Sequence, residues 1–276
     1  MAPYLRAHLK DADFASRFGE LQSMKREQSV DVNAAVAQII DDVRARGDAA
    51  LIELTAQFDR QTLRPESLRI SQAEIDAAFD ACPEATRTAL DLAASRIRDF
   101  HARQKPQDES FTDTAGVELG HRWTPVDAAG LYVPGGLANY PSSVLMNAIP
   151  AREAGVPRVV MVVPTPDGKV NPLVLVAARL AGVDEIYRIG GAQAIAALAY
   201  GTDTIAPVHV IVGPGNAYVA AAKKQVFGQV GIDMIAGPSE ILVVSDTQND
   251  PAWMAADLLS QAEHDAALAT FEKEHV

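Results

Sequence analysis

From Ala128 onward the chain alternates short apolar, β-branched runs with stretches of helical periodicity, and this alternation restricts the fold more than any other feature. Strands separated by helices rather than by tight turns cannot pair as hairpins, so they are expected to lie parallel, with each helix as the crossover. The expected strands are Ala129 to Val133, Arg158 to Val163, Glu185 to Ile189 and Val208 to Val212. Asn171-Pro172 opens a helix that Gly182 closes, and Gly155 closes another before Val156. A further strand, Glu240 to Val244, and a helix opened by Pro251 and running to about His264 begin another unit.

Before Ala128 the pattern is mostly helical. Val32, Ala35, Val36, Ile39, Ile40 and Val43 keep helical spacing, with Asp31 as the expected cap and Gly47 as the stop. A second helix is expected over Ala49 to Phe58. Ser71-Gln72-Ala73-Glu74 has the form of a capping box, and Pro83 suits the first turn of a long helix running toward Gln104. Phe111 to Pro125, with Val117, Leu119 and Trp123 alternating after Gly116, reads as a hairpin. The expected division is therefore a helical region with a hairpin over 1–126, a parallel-sheet domain over 127–237, and a return over 238–276.

Several classes of function are disfavoured by composition. Lys and Arg number 24 against 36 Asp and Glu, and a formal net charge of −12 opposes a sequence-independent grip on nucleic-acid phosphates. Cys82 is the only cysteine, so neither an intrachain disulfide nor a thiolate cluster can form, and a half-buried small residue is its expected role. Charged residues interrupt the first segment, Met1 to Phe14, which denies it a signal peptide's continuous apolar stretch. The densest apolar run, Val159 to Val163, is far below the roughly 20 residues a membrane helix needs. A soluble, cytoplasmic protein is the expectation.

Chemistry in an open parallel sheet gathers beyond the carboxyl ends of the strands, where helix N-termini and loop N–H groups converge. Three of the four expected strands end in glycine-rich turns: Tyr132-Val133-Pro134-Gly135-Gly136, Gly190-Gly191-Ala192-Gln193 and Gly213-Pro214-Gly215-Asn216. Glycine admits positive φ and lets a ligand approach the backbone, while Gln193 and Asn216 can present an amide at a helix's first turn. One such turn would be an ordinary tight turn. Three at the same edge of one sheet favour a site for a nucleotide-sized ligand. The usual G-x-G-x-x-G fingerprint is absent, and the second strand ends in Pro164 rather than in an acidic residue able to hold a ribose.

A second constellation is Ser260-Gln261-Ala262-Glu263-His264-Asp265. Gln261 and His264 are three residues apart and share a helix face, which would let both reach one metal ion. Alone the pair is a weak signal, because a histidine near a helix C-terminus more often meets the final carbonyls and an amide is a poor zinc ligand. Gly237-Pro238-Ser239-Glu240 can bring a hydroxyl to the same cleft or be a plain turn.

Taken together, GLYVPGG (Gly130 to Gly136), YPSSVLMNAIPA (Tyr140 to Ala151), GGAQAIAALAYGT (Gly190 to Thr202), VGPGN (Val212 to Asn216), GPSEILV (Gly237 to Val243) and LLSQAEHD (Leu258 to Asp265) closely resemble histidinol dehydrogenases. The resemblance implies the NAD-dependent oxidation of L-histidinol through histidinaldehyde to L-histidine, with a bound zinc. It implies two incomplete Rossmann-like units, the second only partly present here, and a homodimer that shares its active sites. By motif, Tyr132, Gln193 and Asn216 would contact NAD, Ser239 the substrate, and Gln261 and His264 both substrate and zinc. The zinc of that family anchors substrate while hydride passes to the nicotinamide, and a general base then activates water.

After Asp265 the resemblance stops. The family continues through a catalytic Glu-His pair and through an Asp and a His that complete the zinc shell. Glu274-His275 lies too close to His264 to be that pair, so no catalytic residue is assigned and no turnover is expected from this chain alone. The alternatives are a non-catalytic remnant that keeps a nucleotide-binding layer or a dimer surface, and a related zinc-dependent dehydrogenase of another small amino- or sulfo-alcohol. Ile241, Leu242, Val243 and Trp253 are expected to be exposed or packed on a partner chain.

Overall fold

The computed structural model describes residues 10–135, 140–235, 243–246 and 248–262, with the backbone alone for residues 20–31 and 260–262. Two compact units are distinguished, Ala35–Ile235 and Met1–Ala34 with Ala236–Val276. In chain order the elements are α1 (Phe14–Arg46), α2 (Asp48–Asp59), α3 (Pro65–Leu68), α4 (Gln72–Ala81), α5 (Glu84–Ala102), β1 (Glu109–Thr112), β2 (Glu118–His121) and β3 (Ala128–Tyr132). There follow α6 (Pro141–Glu153), β4 (Arg158–Val162), α7 (Pro172–Ala181), β5 (Glu185–Tyr187), α8 (Gly191–Tyr200), β6 (Val210–Val212), α9 (Ala217–Val226), β7 (Gly231–Ile232) and α10 (Pro251–Ala262).

The unit Ala35–Ile235 is a mixed α/β body around a five-stranded parallel sheet of order β5-β4-β3-β6-β7. All four expected strands are present. The fifth, β7, is two residues long and carries no periodic signal of its own. Strand alternation sends Ala129, Leu131, Val133, Val159, Met161 and Val163 into one core with Val144 and Ile149 of α6 and Val174 and Leu175 of α7. Each such fully buried aliphatic side chain stabilises the fold by about 2 kcal/mol. On the other face Gly130 makes room for α8: a methyl group there would come within 3.0 Å of Leu198 and of Val208.

Local signals account for most helix ends. Asn171 accepts from the N–H of Leu173 at the start of α7, and Gly182 ends that helix at φ 76. The Ser71 capping box forms in both directions with Glu74. Cys82 is buried and is the C-cap of α4, just before Pro83 caps the start of α5. Asp31 is not a cap: α1 begins at Phe14 and runs unbroken to Arg46, because residues 20–30 are mostly good helix formers and an acid is tolerated inside a helix. Gly47, at φ 55, stops α1 as expected. The hairpin is β1–β2, with Asp113 accepting from the N–H groups of Ala115 and Val117 in its turn, and Trp123 lies beyond its end.

The edge of β5 is covered by the segment before α4, where Ile70 donates to the Ile186 carbonyl and Arg188 to that of Leu68. At the amino ends of β4 and β5, Arg158 grips Glu185 through two hydrogen bonds of 2.7 and 3.0 Å and also donates to the carbonyls of Ala206 and Pro207. The Arg158 guanidinium holds the Glu185 carboxyl below its ordinary value of 4.5, against the opposing effect of burial. A carboxyl lowered in this way adds stability that is complete above pH 4.5 and is lost as pH falls through the folded value. Glu185→Gln is therefore expected to cost about 2 kcal/mol at pH 7 in urea unfolding, with the gap to the parent closing below pH 4.5. A gap that stays constant down to pH 3 would show that the charge of Glu185 is irrelevant.

In the other unit, α10 follows an Asp250 that accepts from the N–H of Ala252. Of the expected strand Glu240 to Val244, residues 240–242 lie outside the described residues, as do Ile241 and Leu242 of the expected exposed set. Val243 and Val244 belong to no strand, and Val244 is 85% exposed. A strand needs a neighbour for its N–H and C=O groups, and this stretch has none among the described residues. Trp253 is 75% exposed, as expected. None of the described helices is long and apolar enough to cross a membrane.

Candidate functional site

The three glycine-rich turns meet at one rim of the sheet. The chain reverses its direction of winding between β3 and β6, which are neighbours, and the turns after β3, β5 and β6 all open at the carboxyl ends of their strands. Pro164, after β4, is the wedge between two of them. A Cβ on Gly135 would lie 2.7 Å from the Pro164 ring and carbonyl oxygen, and one on Gly190 would lie 2.4 Å from Pro164 Cβ. Gly213, at φ 110, rests on β3 itself, where a Cβ would lie 2.2 Å from the carbonyl oxygen of Tyr132. Only glycine permits these approaches, so the rim is lined by backbone.

Tyr132 joins the turns. Its main chain backs Gly213, and its hydroxyl accepts from the Gly191 N–H at 3.1 Å, leaving the phenolic hydrogen free to donate. Burial pushes the phenol up to about 12, the Gly191 N–H opposes this, and the charge of Asp59 adds to it, so the hydroxyl stays protonated at neutral pH. Gln193 stands in the first turn of α8 and is only 2% exposed. Its side chain folds back toward Gly191, where an added Cβ would meet its Oε1 at 2.8 Å, and it makes no hydrogen bond among the described residues. The N-cap residue of α8, Gly190, brings no side chain, so the only side-chain partner at the start of that helix among the described residues is the Tyr132 hydroxyl. Asn216 caps α9 instead, its Oδ1 accepting from the N–H groups of Tyr218 and Val219, which leaves its exposed amide nitrogen to donate.

Two features of the rim were not singled out from sequence. Lys223 of α9 is 2% exposed, and its Nζ donates to the carbonyl of Gly213 and to Asp233 just after β7. Asp233 in turn accepts from the Gly213 N–H at 2.8 Å, so a lysine–carboxylate pair fixes both backbone groups of that glycine. Val219, Lys223 and Val226 share one helix face, and a lysine on an apolar stripe was the available signal. The second feature is Asp59, 9% exposed at the C-terminal end of α2, whose Oδ2 accepts from the N–H of Thr165, the residue after Pro164. Thr165 also donates its hydroxyl to Gln61. Leu51, Thr55 and Asp59 form the buried stripe of α2, a periodicity visible in the sequence.

The candidate metal and substrate residues fall mostly beyond this picture. Ser239 and His264 lie outside the described residues, and of Gln261 only the backbone is described, in the last turn of α10. Among the described residues no group of three or more His, Cys, Asp or Glu side chains is arranged to hold a metal ion.

A family model described as histidinol dehydrogenase matches residues 22–271. The chain belongs to the histidinol dehydrogenase family. It is 68% identical over 256 residues to the histidinol dehydrogenase of Ruegeria pomeroyi, a match covering 93% of this chain and 59% of that protein. Against the histidinol dehydrogenase of Rhodospirillum rubrum it is 68% identical over 263 residues, 95% of this chain and 61% of the other. The crystal structure of histidinol dehydrogenase from Elizabethkingia anophelis superposes with a TM-score of 0.75 at 40% identity, covering 86% of this chain and 57% of that one. The chain thus spans about three-fifths of the length of these histidinol dehydrogenases.

Proposed function

We propose that the glycine rim binds NAD within a histidinol dehydrogenase that oxidises L-histidinol through histidinaldehyde to L-histidine. The observation that carries this proposal is the Gln193 amide, which makes no hydrogen bond among the described residues, in the first turn of α8 beside the glycine rim. An amide with no protein partner at a rim of backbone keeps its two donors and its acceptor for a ligand. Beyond the Gly191 N–H that the Tyr132 hydroxyl holds, the N–H groups of the first turn of α8 attract an anion, which suits the pyrophosphate of a dinucleotide. Strand order supports the same proposal: in β5-β4-β3-β6-β7 the winding reverses between β3 and β6, and ligands of open parallel sheets lie at such a reversal point.

In this proposal NAD supplies the hydride acceptor when bound. The protein's part is to bind and orient it, with Gln193 supplying amide hydrogen bonds, the Tyr132 hydroxyl and the Asn216 amide nitrogen donating, and the backbone of Gly135, Gly190 and Gly213 leaving room. Ser239, Gln261 and His264 belong to substrate recognition by resemblance alone, and zinc on Gln261 and His264 rests on the same ground. The homodimer and the cytoplasmic setting also form part of this proposal.

Gln193→Leu tests it with two readouts. Leucine is similar in volume and removes no hydrogen bond within the protein, so urea unfolding is expected to show nearly unchanged stability. NADH titration followed by nicotinamide fluorescence is expected to show affinity reduced at least about tenfold. Unchanged NADH affinity in a stable Leu variant would remove the proposal's main support.

A further inference from the structure

A carboxylate that the second strand lacks is delivered to the rim from another helix. In open α/β sheets that hold dinucleotides, an acidic residue at the end of the second strand accepts hydrogen bonds from the adenosine ribose. Here β4, the second strand, ends in Val162, and Val163-Pro164-Thr165 follow with no acid. Asp59 fills the gap in space: α2 packs against α8, and its last residue sets Oδ2 3.3 Å from the Thr165 N–H, beside the Pro164 on which Gly135 and Gly190 rest. The second oxygen, Oδ1, accepts no hydrogen bond among the described residues. Arg60, the adjacent cation, is turned away by its left-handed backbone and grips Asp167 through two bonds of 2.7 and 2.8 Å.

We infer that Asp59 is the ribose-recognition residue of the rim, accepting the adenosine 2′-hydroxyl of a dinucleotide and rejecting its 2′-phosphate. The inference rests on the nucleotide proposal and deepens it. A nearly buried carboxylate with one oxygen unpaired accepts hydroxyl hydrogens well and repels phosphate, which assigns it to the sugar rather than to the pyrophosphate. Burial also pushes its carboxyl above the ordinary 3.8, with the Thr165 N–H and Arg60 opposing. The charge of Asp59 also acts on the Tyr132 hydroxyl and raises it further.

The experiment titrates NADH and NADPH into the parent chain and into Asp59→Asn, which keeps an oxygen for the Thr165 N–H. The parent is expected to prefer NADH by about tenfold or more, and the Asn variant to lose about tenfold in NADH affinity and most of that preference. AMP against 2′-deoxy-AMP on the unaltered chain provides a second measurement that needs no variant, with the deoxy compound expected to bind about tenfold more weakly. Asn-variant affinities and preference equal to the parent's, or AMP and 2′-deoxy-AMP binding alike, would overturn the assignment to Asp59 while leaving NADH binding intact. A parent chain that binds neither NADH nor NADPH would overturn the nucleotide proposal, and this inference with it.

Discussion

Gly213→Ala is expected to dislodge the turn after β6 and to destabilise the protein by about 3 kcal/mol or more, with NADH binding lost at ordinary titration concentrations. Two costs add at this position. An L-residue at φ 110 is strained by about 1–3 kcal/mol, and the new methyl would sit 2.2 Å from the Tyr132 carbonyl oxygen, which belongs to the central strand and cannot retreat. The backbone must therefore move, and with it the N–H that Asp233 holds and the carbonyl that Lys223 holds. Gly116→Ala in the β1–β2 turn is the control. Its φ of 82 imposes similar strain, but nothing lies within 4 Å of the added carbon, so about 1 kcal/mol and no change in NADH affinity are expected. Equal losses in the two variants, measured by urea unfolding, would mean that the contact with Tyr132 carries no weight.

Lys223→Met is expected to cost about 2–3 kcal/mol, because it leaves the Gly213 carbonyl and the partly exposed Asp233 carboxylate without the buried ammonium they share. Methionine matches the lysine stem in length and apolar character, so the loss reports on the ammonium rather than on packing. Adding Asp233→Asn removes the orphaned charge and is expected to recover part of the stability. Lys223 and Asp233 touch the same glycine, so their effects should be strongly non-additive in a double-mutant cycle. A Met variant within 1 kcal/mol of the parent would show that the pair does not hold the turn.

Both substitutions act at the place where β3 and β6 lie side by side, and this explains why the most consequential residues are far apart in sequence. Gly213 and Tyr132 meet because the chain winds outward from β3 in one direction to β4 and β5, then returns to its other side with β6. The parallel pairings that follow bring four strand ends and the turns beyond them to one edge.

Much of this was legible beforehand. Short apolar, β-branched runs marked four of the five parallel strands, Asn171 and Gly182 marked the ends of α7, and the glycines after three strands marked the rim, because each of these signals is local: a φ value, a cap, or a continuous apolar run. The sequence also carried the family resemblance, in blocks that the relatives share. By contrast, β7 escaped because two residues have no period, and the first half of α1 because an acid compatible with a cap is also compatible with a helix interior. Asp59 and Lys223 escaped for another reason. Each lies on a buried helical stripe that is visible in sequence, but only the packing of α2 beside Thr165 and of α9 beside Asp233 decides which backbone groups those charges meet, since Coulomb and hydrogen-bond energies depend on distances of a few ångströms that chain spacing does not fix.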